Sequence, residues 1–170
     1  MSSVAEFGNF ASTNMINEAT AFKTVKSGTY DIQVNKTYEF NEAEGFARVG
    51  GKAIAGGIPQ GTVFFRLQWK EARGTTGKLK IGCRLYAQVL KALYPTKSVE
   101  ELSHMDAKDV IADLEKFPVR AFISEYYSIP DATNQYGSRR TTPKTPEEVK
   151  AALEAGGTPK NEVLTITAIK

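Results

Sequence analysis

From Gly28 to Phe40 hydrophobic and polar residues alternate: Tyr30, Ile32 and Val34 fall on one side, Asp31, Gln33 and Asn35 on the other. A two-residue period built from aromatic and β-branched residues predicts a strand. The next stretch, "NEAEGFARVGGKAIAGGIPQG" (residues 41–61), holds six glycines and one proline and reads as a long loop or a ragged hairpin. Alternation resumes over residues 62–70, with Val63, Phe65, Leu67 and Trp69 toward a core and Phe64, Arg66, Gln68 and Lys70 outward. After the turn "EARGTTG", residues 78–85 alternate again. Leu79, Ile81, Cys83 and Leu85 point inward, and Lys78, Lys80, Gly82 and Arg84 outward, which predicts a hairpin with residues 62–70.

The period then lengthens. "RLYAQVLKALY" sets Leu85, Val89 and Leu93 at helical spacing, with Tyr86 and Leu90 alongside, and Pro95 stops the helix. Ser98 and Glu101 have capping-box spacing, and "MDAKDVIADLEKF" supplies a further helical stretch through Val110, Ile111 and Leu114. "FPVRAFISEYYS" returns to a period of two: Val119, Ala121 and Ile123 oppose Arg120, Phe122, Ser124 and Tyr126. A Pro/Thr/Ser-rich connection follows. It contains a short helix with Thr145 as N-cap, Pro146 at its first position, Glu148 completing the box, and Gly156–Gly157 ending it. "NEVLTITAI" is the last strand. Residues 1–27 carry Phe7, Phe10, Met15, Ile16, Phe22 and Val25 with no sustained period, and read as an N-terminal arm ahead of one domain spanning 28–170.

The order is β–β–β–α–β–β, so the expected class is mainly β with helices. A five-stranded OB-fold barrel accommodates it, with a helix between strands 3 and 4 and a second helix in the strand 4–5 loop. An SH3-like barrel or a fragment of a sandwich explains the helix position less well. In an OB-fold, strands 2 and 3 and the loops 1–2 and 4–5 form the binding surface.

Composition adds bounds. A chain of 170 residues with 41% hydrophobic content suffices for one cored domain. No apolar run approaches the ~20 residues of a membrane span. The opening "MSSVAEFGNFASTN" has neither a basic nor an apolar signal region, and the single cysteine, Cys83, forms no internal disulfide. A cytoplasmic protein is the expectation.

Charge changes the picture more. The net charge is +3, but residues 45–91 hold nine Lys/Arg against one acid, Glu71, while the remainder holds 13 against 18. A one-signed field of this kind steers an anionic partner. Mapped on the expected barrel, the basic hairpin supplies Phe64, Arg66, Lys70, Lys78, Lys80 and Arg84. The first loop supplies Phe46, Arg48 and Lys52, and the second Tyr136, Arg139 and Arg140. Tyr126 and Tyr127 point to opposite faces, so at most one, Tyr126 in the expected set, faces a ligand. Aromatic rings stack on unpaired bases of any sequence, and Lys and Arg neutralise phosphates.

Catalysis finds little support. His104, the only histidine, lies in an acidic helical region and suits a surface or capping role. Cys83 reads as a buried, inert thiol. Neither Cys/His metal spacing nor a Walker loop is present, since "RVGGKAIAGG" lacks the GK[ST] ending. Asp106, Asp109 and Asp113 share a helix face of the kind that is usually solvated. No cofactor, no metal and no enzymatic activity are expected.

"SGTYDIQV", "LYAQVLKALY", "LEKFPVRAFISEYY" and "NEVLTITAI" together resemble, in pattern and spacing over residues 27–169, bacteriophage single-stranded DNA-binding proteins with an OB-fold. The chain differs from bacterial single-stranded DNA-binding proteins in ending "TITAIK" instead of in an acidic tail. The resemblance implies a sequence-tolerant protein that coats single-stranded DNA in phage replication or recombination, alongside phage or host replication proteins. An OB module for an acidic protein partner, and an RNA-binding OB domain, are the alternatives.

Overall fold

In a computed structural model of the chain, which describes residues 24–169, the first alternating stretch becomes strand β1 (Gly28–Asn41). Two bulges, between Val34 and Lys36 and between Thr37 and Glu39, break its period. Ile32 and Val34 therefore point to the core, whereas Tyr38, four residues past Val34, stands outside.

Of the two readings of the glycine-rich stretch, the hairpin holds and the loop does not. Residues Phe46–Ala55 form strand β2, antiparallel to β1, and Ile58–Gln68 form β3, antiparallel to β2. The turn between them is the pair Gly56–Gly57, with φ of 59° and 77°, joining the paired residues Ala55 and Ile58. Two consecutive positive φ values suit a two-residue hairpin, and glycine adopts them without a Cβ clash. Inside β2, Gly51 serves packing: a Cβ there would lie 2.6 Å from the Gln33 carbonyl oxygen in β1.

The predicted strand at 78–85 is also overturned. Residues 78–80 lead into helix α1 (Ile81–Leu93), which buries Cys83, Leu85, Tyr86 and Val89. The four alternating apolar positions were compatible with either structure. A helix buries the last two of them, Cys83 and Leu85, together with Tyr86 and Val89. Leu79 and Ile81, expected inside, are exposed. The expected orientation of 62–68 holds: Val63, Phe65 and Leu67 are buried, Phe64 and Arg66 exposed. Trp69 packs, partly buried, against Phe40 and Tyr86.

Helices α2 (Val99–Ser103) and α3 (Ala107–Lys116) follow. The Ser98/Glu101 capping box is formed, Asp106 caps α3, and His104 is the exposed C-cap of α2. Strand β4 (Val119–Pro130) pairs along one edge with β1 and then with β5 (Ser138–Thr141), and along the other with β6 (Thr158–Thr167). Between β5 and β6 lies α4 (Pro146–Glu154), with the expected Thr145/Glu148 box and Gly156 at φ 83° beyond its end. The whole is a six-stranded antiparallel sheet with four helices among the described residues. The sheet curves until β3 and β6, which share no ladder, lie against each other. Its concave side, with α1 and α3 packed on it, holds Ile32, Val49, Leu67, Leu85, Leu114 and Ile123.

Of the expected arm, residues 24–27 belong to the packed body. Val25 is buried, its N–H donates to the side-chain oxygen of Asn161, and its carbonyl accepts from the same amide. Residues 1–23 lie outside the described residues. No helix of the described residues is long and apolar enough to cross a membrane.

Candidate functional site

The convex face of β1–β3 carries the outward residues of three strands in register. Gln33 stands beside Lys52 and Thr62, Lys36 beside Gly50 and Phe64, and Glu39 beside Arg48 and Arg66. At the centre, Tyr38 and Phe64 meet edge to face, ring centres 5.3 Å apart and planes at 65°. Both are substantially exposed, at 49% and 41%. Gly50 makes this possible. A Cβ at that position would lie 2.6 Å from the Tyr38 ring and 3.0 Å from that of Phe64. The missing side chain lets two rings lie across the strand.

Cations surround the pair. The Lys36 ammonium sits 4.7 Å from the centre of the Tyr38 ring. Lys36, Lys52 and Arg66 make no ion pair among the described residues, whereas Arg48 is partly neutralised by Glu39 at 3.4 Å. The first turn of α1 abuts β3 here, where a Cβ on Gly82 would touch the Arg66 backbone at 3.4 Å. That turn contains no acid, and Lys80 and Arg84, both exposed, extend the positive field from Arg66. Lys80 and Arg84 thus reach the expected surface from a helix entrance instead of a strand.

Phe46, expected in the first loop as a stacking ring, is buried in β2. The Arg66 guanidinium covers it, 3.7 Å above the ring centre. Such a ring is not presented to a base while Arg66 stays in place. Lys70, just past β3, is exposed, but its ammonium donates to the Ala43 carbonyl in the β1–β2 turn. Lys78 is exposed in the connection before α1.

A second group lies across the seam between β3 and β6. A cleft of about 290 Å³ runs there, edged by Phe64, Arg66, Ile81, Tyr126 and Glu162. Arg140 stacks on Tyr126, 3.7 Å from the ring centre, and is paired with Glu162. Tyr127, its neighbour, is buried, as the alternation required. Arg139 points the other way, toward α4, and its nearest acid is Asp131 at 3.8 Å. The Asp131 carboxyl is held below its ordinary range, chiefly by the Thr133 hydroxyl. Tyr136, 82% exposed, tips the β4–β5 turn. The structure therefore brings Arg48, Lys52, Phe64 and Arg66 to one face, with Tyr126 and Arg140 at its border and Lys80 and Arg84 at the start of the neighbouring helix α1. It leaves Tyr136 and Arg139 apart.

Sequence reasoning missed Tyr38 and Lys36. The bulges of β1 reverse the parity on which the alternation was read. The usable signal was "KTY" ahead of a Gly–Gly pair, a cation and a ring facing a strand with room for them. Among the described residues no group of three or more His, Cys, Asp or Glu is placed to hold a metal ion. Asp106 is occupied as an N-cap, and Asp113 accepts a hydrogen bond from the Tyr94 hydroxyl. Cys83 is a buried thiol.

The chain matches no protein-family model, no curated protein and no solved structure.

Proposed function

We propose that this protein binds single-stranded DNA with little sequence preference, on the convex face of β1–β3, within an OB-type barrel. The paired rings of Tyr38 and Phe64 over Gly50, set among Lys36, Lys52 and Arg66, carry this reading. Exposed rings offer flat apolar faces that a stacked duplex cannot use and an unpaired base can, with about 1–3 kcal/mol per base. Flanking cations without acidic partners suit a phosphate backbone, whose counterions are released on binding.

The strand arrangement supports the barrel. Leaving aside the short β5, the order is β3–β2–β1–β4–β6, with β3 and β6 drawn together. The three consecutive helices lie between the third and fourth strands, and β5 with α4 is an insertion before the last. An OB-fold presents its second and third strands to oligonucleotides, and that is the face on which the rings lie. The resemblance read from the sequence supports a role as a coat for exposed strands in phage replication or recombination.

The test is fluorescence anisotropy of a labelled oligo-dT, with unlabelled DNA duplex and RNA of equal length as competitors. Single-stranded DNA should compete best. Preference for duplex would exclude base stacking, and preference for RNA would reassign the ligand.

A further inference from the structure

We infer that the β2–β3 hairpin tip of one copy of this chain seats Ile58 in the cavity between α1, α2 and the end of β3 of a second copy, and that this head-to-tail contact aligns copies along a bound single strand. The alignment on DNA rests on the proposed function; the contact between copies does not.

The cavity has a volume of about 340 Å³, with Trp69, Tyr86, Leu90, Leu102 and Met105 among its walls. Most of its polar groups are already engaged. The Cys83 thiol faces the Lys70 and Ala72 carbonyls, and the Gln68 amide donates to the Lys70 carbonyl. The Ser103 hydroxyl donates to the Glu100 carbonyl, and Glu71 is paired with Arg73. The Tyr86 side chain is different. It is 7% exposed, and its hydroxyl makes no hydrogen bond among the described residues. Burial and the nearby Asp106 push its pKa up to about 12, so the hydroxyl stays protonated and is a donor. A buried donor without an acceptor is costly. The cavity therefore suits an uncharged apolar group that brings a carbonyl with it.

The chain carries such a group at the far end of β3. Ile58 is 64% exposed beside the Gly56–Gly57 turn, where a Cβ added to either glycine would meet nothing within 4 Å. The Gly56 and Gly57 carbonyls accept no backbone hydrogen bond among the described residues. Residues 53–65 contain no charged side chain, so the tip brings no charge into the cavity. Ile58 and the cavity residue Gln68 stand at opposite ends of the 11-residue strand β3. At roughly 3.3 Å per residue they are about 30 Å apart, so a tip cannot fill the cavity of its own chain. Tip and cavity lie on different surfaces, so the contact does not close within a pair and passes from copy to copy. Phe64 and Arg66 lie between the two ends and belong to neither, which leaves the ring platform open. One small contact is weak alone. On a shared strand, neighbours meet at about millimolar local concentration, where a weak contact is populated.

The test keeps the full chain. Ile58→Asp removes the tip's apolar group, and Ala87→Arg blocks the cavity from an exposed position of α1 on its wall. Both sites are at the surface, and unmoved amides of β5 and α4 in two-dimensional NMR spectra report an intact fold. At about millimolar concentration the native chain should sediment as a series of oligomers, and each variant alone as a monomer. Their equimolar mixture should stop at dimers, since such a pair holds one intact tip and one intact cavity. Trp69, the only tryptophan, lines the cavity. Its indole N–H signal should move with concentration in the native chain and stay fixed in Ile58→Asp. Tyr86→Phe, which keeps the ring and loses the donor, should weaken association about two- to tenfold. A monomeric native chain, or variants that associate as it does, would overturn the contact. A mixture without dimers would overturn the pairing of this tip with this cavity. On long oligo-dT, Ile58→Asp should lose the cooperativity of the native chain and keep its affinity for an oligo-dT that holds one copy. Cooperativity retained by Ile58→Asp would overturn the alignment. Association between copies without oligo-dT binding by any form would leave the contact standing and remove the proposed function, and the alignment with it.

Discussion

A methyl group at Gly50 would press on two half-exposed rings, at 2.6 Å from Tyr38 and 3.0 Å from Phe64. The atoms met at Gly50 belong to side-chain rings and not to backbone, so Gly50→Ala should change stability by less than about 1 kcal/mol. The platform itself would open, and oligo-dT affinity should fall by the worth of about one stack, roughly 1–3 kcal/mol. Urea unfolding and anisotropy on the same preparation check both halves. At Gly51 the neighbour is backbone, the Gln33 carbonyl oxygen at 2.6 Å and the Val34 Cα at 2.9 Å. Neither atom can move without parting β1 from β2. Gly51→Ala should therefore cost about 1–3 kcal/mol of stability, the usual cost of overpacking, and lower the urea midpoint. Adjacent glycines with opposite phenotypes are what an outward and an inward position in one strand require.

At the scale of elements, the helices also give a pH signature. Burial, with repulsion from Asp106 added, pushes the Tyr86 phenol on α1 from 10.0 up to about 12. Tyr94, partly buried and donating its hydroxyl to Asp113, is raised as well. The folded state thus holds protons that the unfolded chain releases from about pH 10. Their contribution is fully present below that pH and is lost as pH rises from 10 toward 12. Unfolding midpoints should fall over this interval, and Tyr86→Phe should flatten the fall. Caps and single-period strands were legible in the sequence: the Ser98 and Thr145 boxes, the parity of 62–68, the strand at 119–128 and the buried Cys83 all stand as read. Residues 78–85 were not, and for 46–55 the hairpin was only one of two readings. In β2 the inward positions Ala47, Gly51 and Ala53 are small, Gly51 because the β1 backbone lies against it, and smallness reads locally as flexibility. In 78–85, four alternating apolar residues fit two structures, and the choice was made by Tyr86 and Val89 beyond them. Tyr38 escaped because bulges shift parity in a way that no local pattern announces.

For the molecule as a whole, the charge asymmetry along the chain becomes a surface. Lys36, Lys52, Arg66, Lys80 and Arg84 make no ion pair among the described residues, while Arg48, Arg139 and Arg140 are partly neutralised by Glu39, Asp131 and Glu162. On the proposed function, two kinds of interaction act on one face, and salt separates them. Phosphate contacts weaken as counterions compete, whereas stacking is uncharged. About five neutralised phosphates give a log–log slope near −3 to −4 for a single strand. The most direct measurement is oligo-dT affinity across a salt series for the native chain and for the Tyr38→Ala/Phe64→Ala double variant. The native chain should show that slope. The double variant should give a parallel line, weaker at every salt concentration by about 1–3 kcal/mol or more. No binding by the native chain, or two superimposed lines, would contradict the proposal that these rings and cations form a site for single-stranded DNA.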